Sequence, residues 1–438
     1  IAGLLQAGLD DAHDIEVPTL GDVAFDPGWP AGGSERSTAP APTVVPRDPD
    51  TGLAFKMEPR NQSRVTAGLR GIQLDPAATG VNAGVNYKVQ PAIMLGALAQ
   101  LDQSGDALAG PSSNLAEHGW LGMTWPTEEG GGGRSPLERF VVFEALISEG
   151  APVATSWFAD RQIGPTLLQF GTAEQRRRWL PDIIAGTSAW CIGMSEPDAG
   201  SDVASLLTTA EHRGDRWVVN GQKIWTSGAA DADWCYLIAR TDPDAPPHAG
   251  LSEFVVDMSA PGIEVRPIVD ATGNAHFCEV YFDDVVVPEE HLVGTPNGSF
   301  KQVMRQMEHE RGGIDRLVSN RRLYLDAREV ADTGDRRIRD ELAALETGYT
   351  IGRLMVLREV LGQAPAGFSA ATKTFCTELE QRVAEFCCRV AGPEALVWSR
   401  VARSVCYAPA YTIMGGTTQI LRNILAERVL GLPREPRS

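Results

Sequence analysis

Five short runs decide the fold: Arg216-Trp217-Val218-Val219-Asn220, Trp234-Cys235-Tyr236-Leu237-Ile238-Ala239-Arg240, and the stretches 253–258, 263–269 and 279–287. Each is rich in β-branched and aromatic residues and is bounded by turn residues, and no helical pattern intervenes. Such a series predicts a mainly antiparallel β domain. Upstream, Leu137, Phe140, Val141, Phe143, Leu146 and Ile147 recur at three- and four-residue steps over 136–150, and a similar texture returns over 163–184. Beyond Asn297 the helical period persists almost to the end, with breaks near Thr333, at 362–367 and near Gly392. The expected fold class is α+β: a helical domain over 115–189, a β domain over 190–295 and a helical bundle over 296–438. Residues 1–114 are set apart. Their segment 26–52 carries six prolines among Gly, Ser and Asp, which blocks helix interiors and sheet ladders and predicts a loop or ordered arm. Only a short helix near 92–101 is expected there.

Composition narrows the function. Lys and Arg total 39 against 57 for Asp and Glu, a formal charge of −18, and no basic block is present to neutralise phosphates, so nucleic acid is not an expected partner. The seven cysteines are scattered, without CxxC or His-paired spacing, which predicts reduced thiols and neither a metal site nor a disulfide framework. No run reaches the roughly 18 apolar residues that a membrane span needs, and the first ten residues lack the features of a leader. A soluble cytoplasmic protein is expected. The first residue is Ile rather than Met, so the natural start is expected to lie further upstream.

Three segments can carry chemistry. In the helix opening at Ser299, Val303, Met307, Ile314 and Leu317 form one apolar stripe, and Glu310 falls in its middle. A carboxylate on a core-facing stripe is costly to bury unless paired or working, so Glu310 is either half of an ion pair with a neighbour such as Arg316 or a functional acid. Gly312 and Gly313 follow, marking either a close backbone approach or a simple break. The loop Met194-Ser195-Glu196-Pro197-Asp198-Ala199-Gly200-Ser201-Asp202 presents backbone N–H groups that can cradle a phosphate, although by itself such a segment reads first as an ordinary turn. Lys223-Ile224-Trp225-Thr226-Ser227-Gly228 ends a strand with an indole beside two hydroxyls, which suits a planar heterocycle or plain core packing.

Taken in order, Ser195-Glu196-Pro197-x-Ala199-Gly200-Ser201-Asp202, Asn220-Gly221-x-Lys223-x-Trp225 and Gly416-Thr417-Thr418-Gln419-Ile420-x-Arg422 resemble the motifs of the flavin-dependent acyl-CoA dehydrogenases. The likeness runs from about Leu115 to the C-terminus. It implies FAD as cofactor, with Met194 and Ser195 on the isoalloxazine and Trp225 and Ser227 beside its reactive nitrogen. It also implies Gly200 and Ser201 near the pyrophosphate and pantetheine, and Thr417 and Gln419 among the cofactor contacts. The family's most frequent catalytic Glu precedes the C-terminal Gly-Thr, where this chain has Gly415. Isovaleryl-CoA and long-chain members instead carry the base on the first helix after the β domain, before an Arg; those positions are Glu310 and Arg311. The resemblance thus implies Glu310 as base, the Gly415 N–H as a donor to the thioester oxygen, and Ser201 and Arg311 toward the substrate.

The implied reaction is α,β-dehydrogenation of an acyl-CoA or acyl-carrier thioester, with an electron-transfer flavoprotein or similar acceptor. An oxidase or monooxygenase relative and a non-catalytic subunit are the alternatives. Two family motifs are absent: 333–337 replaces Arg-x-x-Phe-Gly, and 389–393 replaces Gln-x-x-Gly-Gly. Both reach toward a partner's FAD, so a homologous partner chain is expected, with a homo-oligomer as the alternative.

Overall fold

The computed structural model describes residues 109–151, 153, 158–300, 302–303 and 313–434. The proline-rich segment 26–52 and the short helix expected near 92–101 lie outside the described residues.

The first layer is helical. Helix α1 (Ala109–Glu117) is followed by α2 (Pro136–Ser148), whose start is fixed by a capping box. Ser135 Oγ accepts from Glu138 N at 3.2 Å, while Glu138 Oε2 accepts from Ser135 N at 2.8 Å. The helical texture expected over 163–184 is divided. A π turn (Ala159–Ile163) runs into α3 (Gly164–Phe170), the chain breaks at Gly171, and α4 (Ala173–Ala185) begins afresh. Thr172 and Gln175 form the second capping box, so the break is encoded by an N-cap lying inside an otherwise continuous apolar period.

The β domain holds one eight-stranded sheet, ordered β6-β7-β3-β2-β4-β5-β8 with β1 alongside β4. Its strands are β1 (Trp190–Gly193), β2 (Thr209–His212), β3 (Arg216–Lys223), β4 (Trp234–Arg240), β5 (Leu251–Asp257), β6 (Ile263–Ile268), β7 (Phe277–Pro288) and β8 (Leu292–Val293). The five expected runs are all strands. The sequence pattern missed β1, β2 and β8, at four, four and two residues too short to show a period. Pairing is antiparallel except where β1 and β2 meet β4. Along β7, Cys278, Val280 and Phe282 are buried in alternation, as a half-covered strand requires. In β4 every residue from Cys235 to Ala239 is buried, because both faces are covered. Leu237 packs with Phe254, Cys278 and Val280 on one side, while Tyr236 and Val255 meet Leu167, Trp179, Leu180 and Ile183 from α3 and α4 on the other.

The last layer comprises α5 (Asp315–Val318), α6 (Arg321–Val330), α7 (Arg336–Val360), α8 (Phe368–Ala391), α9 (Arg400–Tyr411) and α10 (Thr418–Ile424), with breaks where the sequence placed them. Leu317, Tyr324, Leu345, Leu379, Val383 and Phe386 share one core with Phe143 and Leu146 of α2. Helices α7 and α8 approach closely: a Cβ on Gly348 would lie 2.6 Å from Leu379 Cδ1. Among the described residues, no helix is long and apolar enough to cross a membrane.

Within the sheet layer one carboxyl stands out. Glu253 on β5 is fully buried; Tyr236 Oη and Gln302 Nε2 both donate to its Oε2, at 2.8 and 2.6 Å, and its Oε1 has no partner among the described residues. Burial pushes this carboxyl up to about 7. A carboxyl with a raised folded-state pKa stabilises the fold below its unfolded value of about 4.3 and forfeits that contribution as pH rises through the folded one. The unfolding free energy of the wild type is therefore expected to fall by on the order of 3 kcal/mol between roughly pH 5 and 7 on account of this group, and its melting temperature with it. Glu253→Gln should flatten that slope; an unchanged slope in the variant would assign it to other groups.

Candidate active site

The loop leaving β1 is held from beneath by a buried ion pair. Lys223, the last residue of β3, has no exposed surface, and its Nζ lies 2.8 Å from Glu196 Oε1 and 3.1 Å from Met194 O. The Glu196 carboxylate also accepts from Leu207 N at 2.5 Å and Thr208 N at 2.8 Å. Burial pushes its carboxyl up, but the Lys223 ammonium and these hydrogen bonds outweigh that push and hold it below the usual range. The bulge between Val219 and Gly221 brings Lys223 into this position. Only glycine serves at 221: φ is +149°, and a Cβ would lie 2.5 Å from Thr208 Oγ1.

Two residues beyond Lys223, Trp225 stands with φ at +60°, a strained value for a bulky residue, and 56% of its surface exposed. The backbone on both sides fixes it. Ile224 N donates to Ser195 O at 2.9 Å, and Thr226 exchanges two bonds with Cys278 at 3.0 and 3.2 Å. The indole meets Phe277 edge-on, with ring centroids 5.9 Å apart. Beside it Ser227 is half-buried, and Thr226 Oγ1 is buried without a hydrogen-bond partner among the described residues. Exposed indole, orphaned hydroxyl and the half-buried Met194 and Ser195 form a fixed platform that fits a planar heterocycle with polar edges. Gly200 and Ser201 are exposed, and a Cβ on Gly200 meets nothing within 4 Å, so the chain's own packing does not demand that glycine.

The second half of the site is the turn between α9 and α10. Gly415 and Gly416 have φ of +67° and +92°, which only glycine adopts readily in succession. Thr418 N closes the turn on Thr412 O at 2.9 Å, and Thr417 caps α10 by accepting from Ile420 N at 3.2 Å. Neither Gly415 N nor Gly416 N donates to any partner among the described residues. Gln419 is exposed. A series of rings joins the halves: Trp225 to Phe277, Phe277 to His276 at 4.0 Å, His276 to Tyr407 at 5.9 Å, and Tyr407 to Tyr411 at 5.4 Å.

Glu310 and Arg311 lie outside the described residues, as does Met307. The described members of their stripe, Val303, Ile314 and Leu317, are all buried, as the spacing predicted. The close approach expected near the glycine pair is present at Gly313, where a Cβ would lie 2.1 Å from Asp315 Oδ1 and 2.5 Å from Arg161 Nη2. Arg161, buried in the π turn, is paired with Asp315 at 2.7 Å. Sequence reading missed the part played by the Lys223 to Glu196 pair. Both residues stood inside recognised motifs, yet which of them served structure and which a ligand needed coordinates.

Comparison with known proteins agrees with this architecture. Residues 94–187, 191–285 and 298–430 match the family profiles described as the N-terminal, middle and C-terminal domains of acyl-CoA dehydrogenase. Acyl-CoA dehydrogenase IpdE1 of Mycobacterium tuberculosis is 39% identical over 342 residues, covering 74% of this chain and 88% of the relative. Among solved structures, the Tcur3481-Tcur3483 steroid ACAD aligns with a TM-score of 0.70 at 32% identity, over 76% of this chain and 90% of that one. The ChsE4-ChsE5 complex from Mycobacterium tuberculosis aligns with a TM-score of 0.70 at 32% identity, over 78% and 94%. With three domains matched in chain order and a relative 39% identical over most of its length, the chain belongs to the acyl-CoA dehydrogenase family of FAD-dependent oxidoreductases.

Proposed function

We propose that this chain is the catalytic, flavin-holding subunit of a dehydrogenase that removes the α- and β-hydrogens of a bulky polycyclic acyl-CoA, paired with a homologous partner chain. The observation that supports the reaction is the glycine turn, whose Gly415 N–H has no acceptor among the described residues and would serve as donor to a carbonyl oxygen. Met194, Ser195, Trp225, Thr226 and Ser227 would hold the isoalloxazine, Gly200 and Ser201 the pyrophosphate and pantetheine, and Thr417 and Gln419 the remaining cofactor edge. FAD, when bound, supplies the acceptor for the β-hydride. The α-C–H of a thioester is weakly acidic, so its oxygen must be polarised while a base is held against the carbon. Gly415 N–H supplies the polarisation, Glu310 takes the proton, and Arg311 would serve substrate binding. The enzyme passes its electrons to an electron-transfer flavoprotein or similar acceptor.

The bulky acyl group is supported by 32% identity to a protein named as a steroid ACAD. A screen of linear and polycyclic acyl-CoA thioesters, with one carrier-protein thioester, tests it: flavin bleaching is expected with polycyclic acyl-CoA. Bleaching only by linear chains would overturn the substrate class, and bleaching by none would overturn the reaction.

The partner chain rests on what stands where the reach-across motifs are missing. Arg337 is turned back on Asp335 at 3.0 Å, and Arg389 is paired with Glu341 of its own chain. Next to the second gap, Leu396, Val397 and Trp398 are 90, 67 and 59% exposed, a contiguous apolar patch of the kind that marks interfaces. Both solved relatives carry paired names. Expressed alone, this chain is expected to hold much less than one flavin per protomer, and co-expression with a homologue retaining both motifs should restore about one per pair. A single-chain species with full FAD and turnover would sink the pairing.

A further inference from the structure

We propose that Lys373 is a positioning residue that holds the Gly415 N–H in place for the thioester oxygen; the role rests on Gly415 being that donor. Lys373 lies in the second turn of α8 with no exposed surface, and a lysine is rarely so buried unless its ammonium is engaged. Its Nζ is 3.0 Å from Tyr411 O and 2.8 Å from Gly416 O. Tyr411 is the last residue of α9, where terminal carbonyls lack helical partners. Gly416 is the second glycine of the turn. One ammonium therefore ties the two ends of the segment that carries Gly415.

The turn needs such a tie. Two successive glycines at positive φ supply the conformation but no stiffness, since neither has a side chain to pack. Three further bonds anchor the same segment: Gln381 Nε2 donates to Thr412 Oγ1 at 3.2 Å from two turns along α8, Met414 N donates to Ala410 O at 2.9 Å, and Thr418 N donates to Thr412 O at 2.9 Å. The first two fix where the turn enters and the third closes it, whereas Lys373 holds the carbonyl of Gly416, the residue that follows Gly415. A donor to a developing oxyanion acts only if its direction is set beforehand, and charge-assisted bonds to two carbonyls are a strong way to set it.

The test separates enolisation from redox chemistry. Phenylacetyl-CoA has exchangeable α-hydrogens but no β-hydrogen to lose as hydride. Its α-H/D exchange in D₂O therefore reports the base and the oxygen's donor independently of flavin reduction. On the flavin-loaded protein with its partner chain, Lys373→Met is expected to slow this exchange ~10- to 100-fold, with flavin content and the Kd for phenylacetyl-CoA unchanged within about threefold. Should Lys373→Met fail to fold, Lys373→Ala gives the same reading: added n-propylammonium is expected to restore exchange in proportion to its concentration, and n-butanol is not. Wild-type exchange in Lys373→Met, or equal rescue by n-butanol, would overturn the proposal and leave the dehydrogenase reading standing. A wild type that neither exchanges nor bleaches with any acyl-CoA would overturn that reading and this proposal with it.

Discussion

Bleaching of the bound flavin by acyl-CoA is expected to slow ~10²- to 10⁴-fold in Glu310→Gln, while the protein stays yellow. The substitution keeps the side chain's length, planarity and hydrogen-bonding capacity and removes only its basicity, so packing along the stripe of Val303, Ile314 and Leu317 is preserved. The effect is large because no second carboxylate stands at 415 to take over: that position is glycine, in a left-handed conformation that a Glu would enter only with strain. Stopped-flow absorbance at the flavin band under anaerobic conditions measures the rate, and unchanged flavin content in the variant isolates chemistry from cofactor loss. An undiminished rate would remove Glu310 from the reaction and leave the stripe carboxylate needing an ion-pair partner instead.

Much of this was readable in the sequence, for reasons specific to each element. Strands β3 to β7 were legible because each is long enough for β-branched and aromatic residues to register, and the breaks at 333, 362–367 and 392 because glycine and short polar runs end helices locally. Strands β1, β2 and β8 were not, since their existence is decided by what β4, β3 and β5 offer as pairing edges and not by their own residues. The same division runs through the site. Trp225, Ser227 and the glycine turn were visible as motifs. The strain at Trp225, the orphaned Thr226 hydroxyl and the Lys373 clamp are products of tertiary contacts between segments far apart in the chain, 38 and 43 residues in the case of Lys373, or of backbone those contacts hold. Lys373 lies in no quoted motif, and its fully buried ammonium is the one signal a structure supplies that a helical period conceals.

Lys223→Met is expected to lower stability by ~3–5 kcal/mol at neutral pH and to release the flavin, because it leaves the Glu196 carboxylate buried without its counter-ion. Lys223 is wholly buried and Glu196 is 7% exposed, so water cannot take the ammonium's place. The pH dependence should reverse sign. In the wild type the Glu196 carboxyl is held below its usual value, so its contribution is present above about pH 4.5 and is lost as pH falls through the folded-state pKa. Without Lys223 the burial that pushes the carboxyl up is opposed only by Leu207, Thr208 and weaker bonds. The variant should therefore gain stability on acidification over the range where the wild type begins to lose it. Adding Glu196→Gln to Lys223→Met removes the stranded charge and should recover a large part of the loss, since the damage comes from an uncompensated ion more than from a missing attraction. Thermal denaturation of the three proteins between about pH 4 and 8 reads the sign directly. If Lys223→Met and the wild type lose stability in parallel as pH falls, the pair does not govern the loop, and the backbone bonds of Met194 and Ser195 alone must hold the flavin platform.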